Sequence, residues 1–238
     1  MSKTLAIDTS SFVMGVAVTE GEQVLGEIIT NIKKNHSIRL MPAIVDLMKE
    51  VGTKPSELER IVVADGPGSY TGVRIGVTTA KTMAWSLQIP IVGISSLEVI
   101  AQNGAYFSGL ISPIMDARRG QVYTGLYQHE QHVVKNKEDD RLILLADWLE
   151  LLKERQEEVL FVGQDVAIHR ELIEERLGQR AIFPSQSKWL PRPSELARLG
   201  LQHESVQSIH TFVPRYLQLA EAEVNWLKSQ KGKRDNDD

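Results

Sequence analysis

The chain has 238 residues, of which 42% are hydrophobic and 24% charged, with a formal net charge of −4 and no cysteine. That length buries a real core as one large or two small domains, while the absence of cysteine excludes disulfide and thiolate chemistry and makes the cytosol the expected location. No apolar run approaches the ~20 residues of a bilayer span, and Asp8 interrupts the apolar stretch of MSKTLAIDTSS before a secretory pattern can form.

In chain order, residues 4–7, 13–18 and 24–30 read as three strands joined by tight turns. Residues 37–51 carry helical periodicity, with Gly52 as a C-cap. A short apolar strand at 61–64, a helix at 72–87 and a buried strand at 91–94 follow, and this alternation implies a mixed α/β layer fold. A second unit opens near Gly104. Its SPIMDARRGQVYTGLY, from Ser112, repeats the pattern of TLAIDTSSFVMGVAV from Thr4: an apolar strand ending in Asp (Asp116, Asp8), a polar turn, then an alternating strand. The expectation is a duplication, with one lobe over 1–103 and a second over 104–220. Within the second lobe the pattern predicts a helix at 145–155, a strand at 159–162 and helices at 168–177 and 193–202. A last helix is expected at 219–228, and 221–238 form the helix end and a tail. Lys228, Lys231, Lys233 and Arg234 are the only basic cluster, and acidic residues follow it at once. That tail reads as solvated and disordered, and it gives the chain no face for gripping RNA alone.

The stretch VVADGPGSYTGVRIGVTTAK, residues 62–81, poses the main question. A Walker loop ends in Gly-Lys-Ser/Thr, but Gly72 precedes Val73; Gly66, Gly68 and Gly72 also miss the G-x-G-x-x-G spacing. Generic anion attraction at a helix N-terminus remains. So does a tight turn needing positive φ and close backbone approach, which the residues favour. In the helix that follows, Val73, Gly76, Val77, Ala80, Ala84 and Leu87 share one mostly small face, suited to packing close on a sheet. Arg74, Thr78 and Lys81 lie opposite, together with Ile75 and Trp85, and a Trp among polar residues is typical of interfaces. In the preceding helix Leu40, Met41, Ile44, Val45, Leu47, Met48 and Val51 cover about half the circumference, wider than the ~100° stripe of a surface helix. Deep burial would explain that width, and so would a partner-binding face; two such helices favour the partner.

Asp8 with Thr9, Ser10 and Ser11 suits a phosphate turn whose Asp positions Mg²⁺ or water. An Asx turn at a strand end suits it equally. A metal site needs clustered ligands, but His36 has Leu40 at i+4, His129 and His132 sit in a charged H-E-Q-H turn, and His169, His203 and His210 are scattered. No nucleophile elbow or Ser-His-Asp set is present, so neither catalytic residues nor a metal site is expected.

LAIDTSS, HSIRLMPAIVDLM, VVADGPGSYTGVRIGVTTAK, GISSLEVIA and MDARRGQVYTGLY occur in register over residues 1–127. Together they resemble the TsaB family, formerly YeaZ, needed for threonylcarbamoylation of adenosine 37 in tRNAs that read codons beginning with A. The C-terminal third matches only loosely, through PRYL. The resemblance implies the actin-like ATPase (ASKHA) fold, two ribonuclease-H-like lobes, and a non-catalytic subunit. The catalyst would be a TsaD-like paralogue, which holds metal through a His-x-x-x-His pair that His36 and Leu40 do not reproduce. It also implies a TsaE-like ATPase as partner, a homodimer through the same helices, and tRNA contact only through the complex. No cofactor of its own is implied, and ATP or ADP is left to the complex. Asp8, Thr9, Ser10 and Asp116 become a vestigial nucleotide turn, with Arg118 and Arg119 crowding the second turn and Gly163 alone where an adenosine loop has two glycines. Gly66, Pro67, Gly68, Gly72 and Gly76 become a structural loop. The implied partner face takes in His36, Arg39, Leu40, Met41, Ile44, Met48, Ser69, Tyr70, Thr71, Arg74, Ile75, Thr78, Lys81, Thr82 and Trp85. The rival functions are a small-molecule kinase or ATPase of the same fold and, behind it, a metalloprotease-like hydrolase.

Overall fold

The computed structural model describes residues 2–218, so the expected helix at 219–228 and the charged tail lie outside the described residues. The chain opens with β1 (Lys3–Asp8), β2 (Val13–Glu20) and β3 (Gln23–Asn31), an antiparallel meander. Then come α1 (His36–Glu50), β4 (Leu58–Gly66), α2 (Tyr70–Leu87) and β5 (Ile91–Ser95). The first sheet has the order β3-β2-β1-β4-β5, with β4 parallel to β1 and β5 parallel to β4. Its central strands are near-continuous apolar runs because both faces are covered. Alternation along β1 divides them: Leu5 and Ile7 join the core under α1 and α2, while Ala6 faces the other side. The short helix α3 (Ser96–Ala101) is capped by Ser95, whose Oγ accepts from Leu97 N at 3.2 Å.

The second lobe comprises β6 (Leu110–Pro113), its continuation β7 (Met115–Asp116), β8 (Gln121–Glu130), β9 (Val133–Leu144), α4 (Leu145–Lys153), β10 (Val159–Val162), α5 (Val166–Leu177) and β11 (Ala181–Ile182). β6 lies between antiparallel β8 and parallel β10, with β9 outside β8 and β11 outside β10. The order β9-β8-β6-β10-β11 therefore repeats β3-β2-β1-β4-β5, and α4 and α5 take the places of α1 and α2. The expected duplication is present. Trp148 is fully buried at the centre of this lobe, its Nε1 donating to Ser112 Oγ at 3.0 Å.

Two features depart from expectation. β9 was not foreseen, because VVKNKEDDRL lacks the apolar alternation of a half-buried strand; among the described residues it pairs only with β8. The H-E-Q-H stretch is the β8–β9 hairpin, with Gln131 and His132 at φ 50° and 71°, as a two-residue turn of that hand requires. The second departure concerns 104–220, which is not one packing unit. The helix α6 (Pro193–Gly200) places Leu196, Ala197 and Leu199 against Ala6, Ala17, Val62, Ala64, Val92 and Ile94, on the first sheet's far face. Ala6, Ala17 and Ala64 are small, which lets the helix lie close on the sheet, and a Cβ on Gly200 would fall on the Val62 side chain. Residues 204–218 then run along the first lobe without regular structure. Val206 N donates to Ile91 O at 2.9 Å and Arg215 N to Asp65 O at 2.7 Å.

Candidate functional site

The GPGSYTG loop lies directly on the turn between β1 and β2. Gly66 and Gly68 take φ values of 117° and 155°, and the Gly66–Pro67 peptide is cis. A Cβ on Gly68 would fall on the Ser10 carbonyl oxygen and one on Gly72 on the Thr9 carbonyl, while one on Gly76 would come 2.5 Å from Thr9 Oγ1. Gly68 and Gly72 thus let one backbone touch another, and Gly76 makes room for the Thr9 hydroxyl. The contact is fixed by hydrogen bonds: Ser69 N donates to Ser10 O at 2.7 Å and Thr9 Oγ1 donates to Gly72 O at 2.7 Å. Ser69 caps α2, its Oγ accepting from Gly72 N at 3.3 Å.

Asp8 closes the same turn on itself, Oδ1 accepting from Ser10 N at 2.9 Å and Ser10 Oγ at 2.8 Å. That is the Asx-turn geometry. Burial raises the Asp8 pKa, against the lowering pull of the Ser10 bonds and of His36. The hydroxyls of Thr9 and Ser10 are both engaged within the protein. Nearby, His36 Nε2 donates to Ser11 O at 2.7 Å, which ties the start of α1 to the turn.

The second turn is likewise engaged. Arg118, Arg119 and Gly120 occupy the left-handed region in succession, at φ 67°, 54° and 73°. Asp116 Oδ1 lies 3.1 Å from His169 Nε2, and Asp116 N donates to Asp165 Oδ2 at 2.9 Å. Burial raises the Asp165 pKa. Gly163, at φ 117°, lets β10 end against Ile114, since a Cβ would come 2.5 Å from the Ile114 carbonyl oxygen. Among the described residues no group of three or more His, Asp or Glu is placed to hold a metal ion.

Between the lobes, Ser95 Oγ and Tyr127 OH both donate to Asp140, the latter at 2.6 Å. Asp65 is buried beside them with its pKa pushed up to about 6, chiefly by desolvation. Arg215, 3.5 Å away, opposes that shift, while Asp140 and Glu98 reinforce it. Glu98 is shifted up by burial too, against the pull of His203 at 3.6 Å.

The outer surface of α1 and α2 is where the expected partner residues separate. On α2, Tyr70, Thr71, Arg74, Thr78, Thr82 and Trp85 are exposed, Trp85 by 57%, along with the cap Ser69. Ile75 is half-buried and packs against the first core, so it does not stand free as expected. Lys81 is half-buried, its Nζ donating to the carbonyls of His210 (3.2 Å) and Phe212 (2.5 Å).

On α1, Leu40, Ile44 and Met48 belong to the monomer core with Leu47, which corrects the expectation that they contribute to an exposed stripe. His36 is also buried, and half-buried Arg39 donates to Thr30 Oγ1 at 2.6 Å. The wide apolar circumference has a different cause: α1 carries two apolar stripes. One, at 40, 44, 47 and 48, points inward. The other, Ile38, Met41 and Val45, recurs at i, i+3 and i+7 and is exposed, by 71%, 44% and 56%. Ile38 stands between Ser37 and Arg39, so in the sequence only its spacing to Met41 and Val45 marks it. The packing of 204–218 beside α2 was also not foreseen, FVPRYLQ being its only sequence signal.

A family model described as TsaD, tRNA N6-adenosine threonylcarbamoyltransferase, matches residues 23–226. The TsaB protein of Bacillus subtilis (strain 168), named for tRNA threonylcarbamoyladenosine biosynthesis, is 54% identical over 227 residues, covering 95% of this chain and 99% of its own. The Escherichia coli (strain K12) TsaB is 29% identical over 159 residues, 66% of this chain and 67% of that one. Among solved structures, YeaZ from Pseudomonas aeruginosa superposes with a TM-score of 0.74 at 27% identity, covering 91% of this chain and all of its own. With two lobes of the same strand order and a relative matched from end to end, the chain belongs to the TsaB family of tRNA threonylcarbamoyladenosine biosynthesis proteins.

Proposed function

We propose that the chain is the non-catalytic subunit of the machinery that places threonylcarbamoyl on adenosine 37 of tRNAs reading codons that begin with A. It acts by binding a TsaD-type catalytic paralogue. One observation carries the reading: α1 and α2 present Ile38, Met41, Val45 and Trp85 to solvent while the Thr9 and Ser10 hydroxyls and Asp116 Oδ1 are taken up by bonds within the protein. Large apolar side chains left in water each forgo roughly 1.5–3 kcal/mol of burial, and a subunit seated on them recovers it. A homodimer uses the same surface when the paralogue is absent. A TsaE-like ATPase joins the complex, ATP or ADP is held only there, and tRNA is reached through it, in the cytoplasm. A kinase or ATPase reading has less support, because Thr9 and Ser10 bond within the protein and Asp116 faces His169.

The test is reconstitution of tRNA modification with the organism's own TsaD-type and TsaE-type proteins. The intact chain should restore modification, and Trp85→Asp should reduce both modification and paralogue binding at an unchanged melting temperature. Full modification without this chain would refute the reading.

A further inference from the structure

The outer stripe of α2 does not end at the helix. Tyr70, Arg74, Thr78, Lys81 and Trp85 recur every three or four residues and so line one side. The segment 210–216 lies beside them in the opposite direction. Lys81 Nζ holds the carbonyls of His210 and Phe212, and towards the helix N-terminus Tyr216 stacks on Tyr70, with ring centroids 4.7 Å apart and planes at 22°. After a turn at 209–211 the chain runs on without regular structure to Tyr216, covering the helix from Lys81 back to Tyr70, a rise of about 16 Å.

That segment is pinned from within. Phe212 packs on the first core above Gly93, where an added Cβ would come 2.8 Å from its ring. Arg215 N donates to Asp65 O at 2.7 Å, its guanidinium lies 3.5 Å from Asp65 Oδ2, and its carbonyl lies where a Gly66 Cβ would fall. Tyr123 OH, from the second lobe, donates to Gln218 Oε1 at 3.2 Å. Val213 nevertheless stays 67% exposed and Tyr216 39%. Arg74 completes the patch, its guanidinium 5.4 Å from the Tyr70 ring centroid. An exposed apolar residue on an already ordered backbone adds contact without a further ordering cost, and paired aromatics beside an Arg are what interface centres favour.

Resting on the reading of the α1–α2 surface as the seat of the catalytic paralogue, we propose that segment 210–216 is the second wall of that seat. Val213, Tyr216 and Tyr70 contact the same TsaD-type subunit, and Lys81 is a positioning residue that holds the wall against α2. Continuity selects the occupant. The Tyr70–Tyr216 stack joins the wall to the stripe, so a subunit covering Trp85, Thr78 and Arg74 meets it without a gap.

The test measures, on the full chain, calorimetric affinity for the organism's own TsaD-type protein, self-association by sedimentation, and melting temperature. Val213→Asp and Tyr216→Ala should each weaken paralogue binding by roughly tenfold without lowering the melting temperature, and Tyr216→Phe should retain it. Lys81→Met should weaken binding similarly and also speed tryptic cleavage after Arg215, a readout of the released wall. If Trp85→Asp weakens binding while the Val213 and Tyr216 variants stay within twofold of the parent, the wall is refuted and the α1–α2 seat stands. If Trp85→Asp also binds normally, both fall. A loss confined to self-association, or to tRNA retention by the assembled complex, overturns the proposal by assigning the wall to a second copy or to RNA.

Discussion

Gly72→Ala tests whether GPGSYTG exists for backbone contact. Gly72 sits in the first turn of α2, where alanine ordinarily favours the helix by about 1 kcal/mol. Here the added Cβ would land on the Thr9 carbonyl oxygen and lie 3.3 Å from Ser69 Cβ and Oγ. The obstructing atom is backbone and cannot swing aside, since β1 holds it from one side and Ser69 N, bonded to Ser10 O, from the other. Relief requires α2 to lift from the turn, which strains packing by roughly 1–3 kcal/mol. It also breaks the Thr9 Oγ1 bond to Gly72 O, a further ~1 kcal/mol. After the helix gain is subtracted, the net loss is about 1–3 kcal/mol, or roughly 5 °C in melting temperature for a chain of this size. Thermal and urea denaturation of the two proteins side by side measure it. A phosphate cradle predicts the opposite pattern, an intact fold with lost nucleotide affinity. A melting temperature equal to or above the parent's would refute the backbone-contact argument.

The two stripes of α1 should separate by stability: Leu40→Ala should cost about 2–5 kcal/mol, whereas Met41→Ala should stay within about 0.5 kcal/mol, both read from urea titrations. Trp148→Ala should cost roughly 3–5 kcal/mol, because a fully buried indole leaves a cavity and takes away the N–H that Ser112 Oγ accepts, leaving that hydroxyl only its Thr124 partner. Asp65 has a folded pKa raised to about 6 from 3.8, so the folded state binds its proton more tightly than the unfolded state does. The linked penalty is therefore full above pH 6, on the order of 3 kcal/mol, and fades as pH falls towards 4. Asp65→Asn should flatten the stability profile between pH 7 and 4; an unchanged slope would mean that Asp65 is not desolvated.

The five strands of the first lobe and the helices α1 and α2 were legible because they follow simple rules, apolar runs for strands and a 3.6-residue period for helices, whereas α3, at six residues, is too short to show a period. Gly66, Gly68 and Gly72 were legible as backbone-contact glycines by elimination, since no lysine follows them. What they touch was not, because Thr9 and Ser10 are remote in sequence and only the β1–β4 pairing brings them together. β9 was hidden by its polar composition. The division of α1 into inward and outward stripes was hidden because hydropathy records how much of a helix is apolar, not which part meets its own sheet. The placement of α6 on the first sheet was illegible for a related reason, since small residues such as Ala6, Ala17 and Ala64 look like weak core until a helix is laid on them.

The duplication supplies an internal comparison for the exposed face. α4 and α5 occupy in the second lobe the positions of α1 and α2 in the first, and the same inward packing demands apply to both pairs. Their outer surfaces diverge. α4 and α5 expose Asp147, Glu150, Lys153, Arg170, Glu171, Glu174 and Glu175, with Leu151 and Ile168 set singly among them. Several of these charges pair across the surface: Lys153 and Arg176 both reach Glu150, and Arg170 reaches Glu174. Exposed pairs of this kind add little stability, but they keep a helix face solvated and unattractive to other proteins. α1 and α2 expose Ile38, Met41, Val45, Tyr70 and Trp85 instead, and Arg74 lies over the Tyr70 ring, with no carboxylate pairing it among the described residues. Fold and inward packing are common to both lobes and so cannot account for the difference. It is the difference that the proposed seat for another subunit on α1 and α2 predicts, since a covered face needs apolar side chains where a solvated one needs charges.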